Sequence, residues 1–135
     1  MTDRTGTITA SEQPAAADWV GGLRSHAVAW GLPILVLLAT GWLGHPLQSW
    51  AWGGALAWMG LACVANAMRC GRTHCYVTGP FYLAMALASV LHGHEVLWLG
   101  PRGWLWLGIA AAAASALLWV LSESVWGRYR SLRKG

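Results

Sequence analysis

All three cysteines of the chain fall in one short stretch, at Cys63, Cys70 and Cys75, and His74 stands beside the last of them. Thiolate and imidazole are ligands for soft or borderline ions such as copper(I), zinc(II) and mercury(II). Cys63, Asn66 and Cys70 are three and four positions apart, so on a helix they form one stripe. Cys70 and Cys75 bracket Gly71-Arg72-Thr73-His74, which reads as a compact loop between two helices. Thr78-Gly79-Pro80 then reads as a helix start, with Thr78 as cap and Pro80 in the first turn. Cys75 would precede that helix and neighbour Arg72, and both features favour thiolate. The expected metal ligands are Cys70, His74 and Cys75, with Cys63 as a relay deeper in the helix.

The alternative stands beside this. Cys-x4-Cys matches no zinc-finger spacing, and no fourth ligand can be named. Free cysteine also buries well as a small apolar residue, a reading that suits Cys63 in particular. A third idea is thiol redox chemistry between Cys70 and Cys75, which a reducing compartment would disfavour.

A second polar cluster comprises His45, His92, His94 and Glu95. It could collect a metal ion on the opposite side, but polar residues at helix ends explain it more simply. Paired-histidine haem ligation needs two histidines deep in facing helices, and none of the five lies mid-span. Asn66 is the one amide inside an apolar run, and an interhelical hydrogen bond accounts for it. No Ser-His-Asp arrangement, phosphate loop or intramembrane carboxylate pair is visible, so an enzyme is not expected.

The elements that must position these groups follow from composition. Of 135 residues, 56% are hydrophobic and only 10% charged, against about a quarter charged in soluble domains. Lipid is the simplest solvent for such a surface. Eleven Trp against a single Phe agree, because Trp favours the headgroup boundary. The reading is all-α: a four-helix transmembrane bundle with spans at about 27–43, 47–68, 79–93 and 103–121. Residues 1–25 read as a disordered polar tail, 26–122 as the membrane domain and 123–135 as a basic cytoplasmic tail. Pro33 is expected to kink the first span. No cleaved leader or lipidation motif is expected at the ends.

With four spans, both tails and the Cys70–Cys75 segment share one side. That side carries Arg4, Arg24, Arg69, Arg72, Arg128, Arg130, Arg133 and Lys134; the other carries only Arg102. The positive-inside rule then puts both termini in the cytoplasm, with the plasma (inner) membrane as location. Trp42, Trp50, Trp52, Trp98, Trp104 and Trp106 would ring the outer boundary. Trp30, Trp119 and Trp126 would ring the inner one. The net charge of +4 is too thinly spread for nucleic acid. Gly108, Ala112 and Ala116 recur every four residues and predict close packing of the fourth helix within the bundle.

The stretch from Cys70 to Phe81, Cys-Gly-Arg-Thr-His-Cys-Tyr-Val-Thr-Gly-Pro-Phe, resembles a signature of a family of small prokaryotic integral membrane proteins with no settled activity. In size and span number the chain is also similar to bacterial mercury-uptake membrane proteins. Those carry a cysteine pair in the first helix, and the first span here has none. Two functions compete: binding or transport of a soft metal ion, and a non-catalytic accessory or assembly subunit with a membrane protein partner or a second copy.

Overall fold

The computed structural model describes residues 18–129. The tail residues Arg4, Arg130, Arg133 and Lys134 lie outside them. Four helices are long and apolar enough to cross a membrane: α1 Leu23–Thr40, α2 Leu47–Cys70, α3 Thr73–Gly93 and α4 Gly103–Trp126. Among the described residues there is no strand; Arg72 and Tyr129 form a single isolated antiparallel bridge. At 1.5 Å per residue, α2 and α4 each reach about 36 Å, beyond a ~30 Å hydrocarbon core.

The centre of the bundle is the antiparallel pair α2–α3, and its cause is a seven-residue repeat. On α2, Ser49, Leu56, Cys63 and Cys70 recur at that interval and are all buried. Gly53, Gly60 and Ala67 follow the same interval, as do Gly79, Ala86 and Gly93 on α3. Small residues repeating every two turns keep one seam facing the partner helix. The backbones meet there: a Cβ on Gly60 would lie 3.0 Å from the Gly79 carbonyl oxygen, and one on Gly79 3.3 Å from that of Gly60.

α1 packs on α2, and α4 packs on α3, but α1 and α4 do not pack on each other. Only 11% of the apolar window of α4 is buried, so nearly the whole helix faces lipid. Of the small residues expected to pack closely, Gly108 does so against the Trp52 ring, which would lie 3.4 Å from an added Cβ, whereas the stripe as a whole borders open space. These residues wall an open cleft on the α1 side, and the tight small-residue seam lies between α2 and α3 instead. Pro33 does not simply kink α1. Ala27–Gly31 widen to a π-helical turn, which accommodates the clash between the Pro33 ring and the Ala29 carbonyl. Trp52, expected at the outer boundary, is buried beside Trp104 at 5.3 Å between ring centres.

Three boundaries differ from the sequence reading, and all three bear on the site. Gly71 adopts a left-handed conformation (φ 71°) and its N–H bonds the Ala67 carbonyl at 2.8 Å, the geometry for which glycine is favoured at a helix C-terminus. Arg72 is extended, and α3 begins at Thr73 rather than near Gly79. His74 and Cys75 are thus in the first turn of a helix, not in a loop. α4 runs on to Trp126, so Glu123 is helical rather than part of a tail. The segment from Asp18, grouped with the disordered tail, packs into the bundle with Asp18 buried.

Candidate functional site

The end of the bundle where α2 stops and α3 starts holds a buried polar network. Asn66, fully buried on α2, uses every hydrogen-bonding group it has. Its Oδ1 accepts the Trp19 N–H at 2.8 Å. Its Nδ2 donates to Asp18 Oδ1 at 2.9 Å and to Cys75 Sγ at 3.5 Å. The expected interhelical bond therefore exists, and the same amide also pins the segment before α1.

Arg72 is 4% exposed and is neutralised from two sides. Its Nη1 pairs with Asp18 Oδ2, and its Nε donates to Glu123 Oε1 at 3.0 Å. Tyr129 donates its hydroxyl to Asp18 Oδ2 at 3.2 Å. Burial alone would raise the Asp18 carboxyl. Hydrogen bonds from Asn66, Arg72 and the Val20 N–H outweigh it and hold the group below the usual aspartate value. Burial works against charge on Arg72, and the Asp18 and Glu123 carboxylates overcome it, so the guanidinium stays charged above its ordinary range. Burial and the Asp18 carboxylate push the Tyr129 hydroxyl upward.

His74 is fixed on three sides. Its ring stacks on Trp119 at 4.5 Å between centres, tilted by 13°. Its Nδ1 lies 2.9 Å from Glu123 Oε1. Arg72 Nε also points at Nδ1, at 3.3 Å; in the tautomer whose Nδ1 proton goes to the Glu123 carboxylate, Nε2 is an acceptor facing the Cys75 sulfur at 3.4 Å. A carboxylate that holds one imidazole nitrogen so that the other is presented outward is the usual support for a metal-binding or proton-accepting histidine.

The thiols divide two to one. Cys63 and Cys75 are 1% and 0% exposed and belong to the same buried core cluster. Thr78 Oγ1 lies 3.6 Å from Cys63 Sγ and 2.9 Å from the His74 carbonyl oxygen, sharing its one proton between them. The Trp30 side chain lines the same small cavity as Cys63. Cys70 takes no part. It ends α2 and turns back on its own helix, its thiol donating to the Asn66 carbonyl at 3.1 Å. Of the expected residues Cys70, His74, Cys75 and Cys63, the structure brings Cys63, His74 and Cys75 to one buried corner and leaves Cys70 apart. The reason is the two-residue connection: with Arg72 capping α3, Cys75 points inward while Cys70 stays on the preceding turn. Among the described residues, no three His, Cys, Asp or Glu side chains stand as a ready metal cage.

Beside Cys63 lies a cavity of about 40 Å³, walled by His26, Trp30, His74, Thr78, Tyr82 and Ser115 among others. By the same measure a water needs about 10–15 Å³, so one ion or a water or two would fit. His26 stacks on Trp30, and its buried Nδ1 has no hydrogen-bond partner.

At the opposite end, His45 and His92 meet edge to face, 5.9 Å between ring centres, while His94 and Glu95 stand apart from them. His45 Nε2 accepts the Trp104 indole N–H at 3.3 Å, and His92 is buried with Nδ1 3.1 Å from the Leu97 carbonyl. His94 packs on Trp50, and Glu95 is exposed at a turn with φ 59°. These groups seal and end helices, as the simpler reading has it. Asp18 and Glu123 were not foreseen as site residues. Glu123 carried a signal, being the one acidic residue within α4.

No protein-family model matches the chain, and no match is found among curated proteins or solved structures.

Proposed function

We propose that this is a membrane-embedded protein that binds, and passes across the bilayer, a soft metal ion held between the thiolates of Cys63 and Cys75. The observation that carries the reading is the burial of these two thiols in one core cluster, with His74 aimed at one of them by Glu123. Two sulfurs suffice for copper(I) or mercury(II), which accept linear two-coordinate thiolate ligation; a tetrahedral zinc site would need more ligands. Hydrogen bonds to the sulfurs from Asn66 and Thr78 spread the negative charge that metal-bound thiolates keep. His74 accepts the thiol proton as a ligand bond forms. Movement of the ion is ligand exchange between sulfurs, because a bare ion cannot enter lipid cheaply.

The positive-inside rule supports a site on the cytoplasmic side of the plasma membrane, with both termini there. Arg24, Arg69, Arg72 and Arg128 lie at that end, and Arg102 alone among the described residues lies at the other.

The test is metal content after purification. One copper(I) or mercury(II) per chain in the native protein and in Cys70→Ser, and none in Cys63→Ser or Cys75→Ser, supports the reading. Equal metal in all four proteins overturns it. A second reading, a non-catalytic accessory subunit, draws on the unfilled cleft between α1 and α4, which a partner's helix would close. Recovery of a stoichiometric larger partner from mild detergent would favour it.

A further inference from the structure

Resting on the thiol-pair reading, we infer that the substrate arrives from the lipid, as a neutral, lipid-soluble compound of a soft metal, through the cleft between α1 and α4. Three observations combine. The first is that packed side chains lie between the thiols and both ends of the bundle, and the pockets that open at those ends, beside Asp18 and Arg72 and beside Gln48 and Arg102, stop short of the sulfurs. On the inner side, Asp18, Arg72 and Glu123 form a buried ion-pair network, and the Arg69 guanidinium covers the Trp19 ring at 4.7 Å. On the outer side, His45, His92 and Trp104 pack on one another, and a Cβ on Gly103 would collide with the His92 ring.

The second is that one side is open. Between α1 and α4 lies a cleft of about 440 Å³, walled by Leu37, Leu56, Met59, Gly108 and Ala112. That volume lies within the roughly 300–1,000 Å³ of small-molecule sites. Its lining is almost wholly apolar. A hydrated or bare cation would lose its solvation there with nothing in return, whereas a neutral compound would not.

The third is where the cleft leads. Its deep end is formed by Tyr82, Ser115 and Trp119, and the same three side chains wall the small cavity against Cys63 and His74. The route therefore runs from lipid, past the Tyr82–Ser115 pair, to the sulfurs. For a compound R–Hg–X the step is an exchange. The sulfur–mercury bond forms at Cys63, the thiol that lines the small cavity, while the mercury–X bond breaks and X leaves as the anion. The thiol proton passes to His74, which lines the same cavity and which Glu123 holds in place.

The experiment uses the full chain with Cys70→Ser in phosphatidylcholine vesicles. Two arylmercury reagents are compared: neutral phenylmercuric acetate and the charged p-chloromercuribenzenesulfonate. Modification of Cys63 and Cys75 is followed by mass spectrometry. The neutral reagent should react faster by about tenfold or more, since thiol reactivity follows access. Ala112→Trp, which fills the cleft, should abolish that advantage while equilibrium mercury binding is kept. Gly108→Leu serves the same purpose should the first variant not fold. Equal rates for both reagents, or an undiminished advantage in the filled variants, overturns the route while leaving the thiol pair intact. If neither thiol is needed for mercury to be retained, the thiol-pair reading fails first.

Discussion

His74 Nδ1 on α3 lies 2.9 Å from Glu123 Oε1 on α4, and this contact joins the start of one helix to the last turn of another. It fixes the imidazole so that its far nitrogen meets Cys75. Supporting carboxylates of this kind typically account for about 10–100-fold in metal affinity. Glu123→Gln should therefore weaken mercury or copper(I) binding by about that factor without removing the site. Competition titration against a chelator reads the effect. An unchanged affinity would mean that His74 needs no partner.

The ion pair of Arg72 and Asp18 is buried, with side chains 4% and 1% exposed. Removing one partner leaves the other charge uncompensated, which costs about 3–5 kcal/mol. Arg72→Ala should lower the thermal midpoint in detergent sharply. A paired replacement, Asp18→Leu with Arg72→Met, should recover much of the loss, although Glu123 then loses its cation. Equal damage from single and paired variants would argue that packing rather than charge holds this corner.

How much of this was legible beforehand depends on the range of the interaction. The helices themselves are local facts: four uncharged stretches, each near twenty residues, can be read in place. The Cys63–Asn66–Cys70 stripe was also visible, and Cys63 and Asn66 do lie on the buried face of α2. The partner of that stripe was not, because nothing in residues 18–25 shows periodicity. Asp18 matters mainly through long-range partners, Asn66, Arg72 and Tyr129, the second of them fifty-four positions away. The boundary at Thr78-Gly79-Pro80 misled for a physical reason. Pro80 and Thr78 both suit a first turn, but Gly79 is there to let α3 touch α2 at Gly60. The seven-residue spacing of Gly53, Gly60 and Ala67 was the signal that would have exposed this seam.

Gly60 should be far less replaceable than Gly54 on the same helix. An added Cβ would lie 2.8 Å from Leu83 Cγ and 3.0 Å from the Gly79 carbonyl oxygen. Overpacking of this kind costs about 1–3 kcal/mol, so Gly60→Ala should destabilise. Gly54→Ala, with nothing within 4 Å of the added atom, should be neutral or gain about 0.5–1 kcal/mol from helix propensity. Unfolding of both variants in detergent gives the comparison. The reverse order would contradict the α2–α3 seam.

Acid should loosen the inner end. The folded protein holds the Asp18 carboxyl below its ordinary value of 3.8, and the unfolded chain restores that value. Its contacts therefore stabilise the fold fully above about pH 3.8, and the contribution is lost as pH falls below that toward the folded value. The thermal midpoint measured from pH 6 to pH 3 should drop at the acid end, less steeply in Asp18→Asn. Identical slopes in the two proteins would remove Asp18 from the account.

X-ray absorption of the mercury(II)-loaded protein bears on the thiol pair most directly. Native protein and Cys70→Ser should each show two sulfur neighbours around one mercury per chain, and Cys63→Ser with Cys75→Ser should show none. Retention of the same two-sulfur signal in that double variant, or its loss in Cys70→Ser alone, would contradict the site described here.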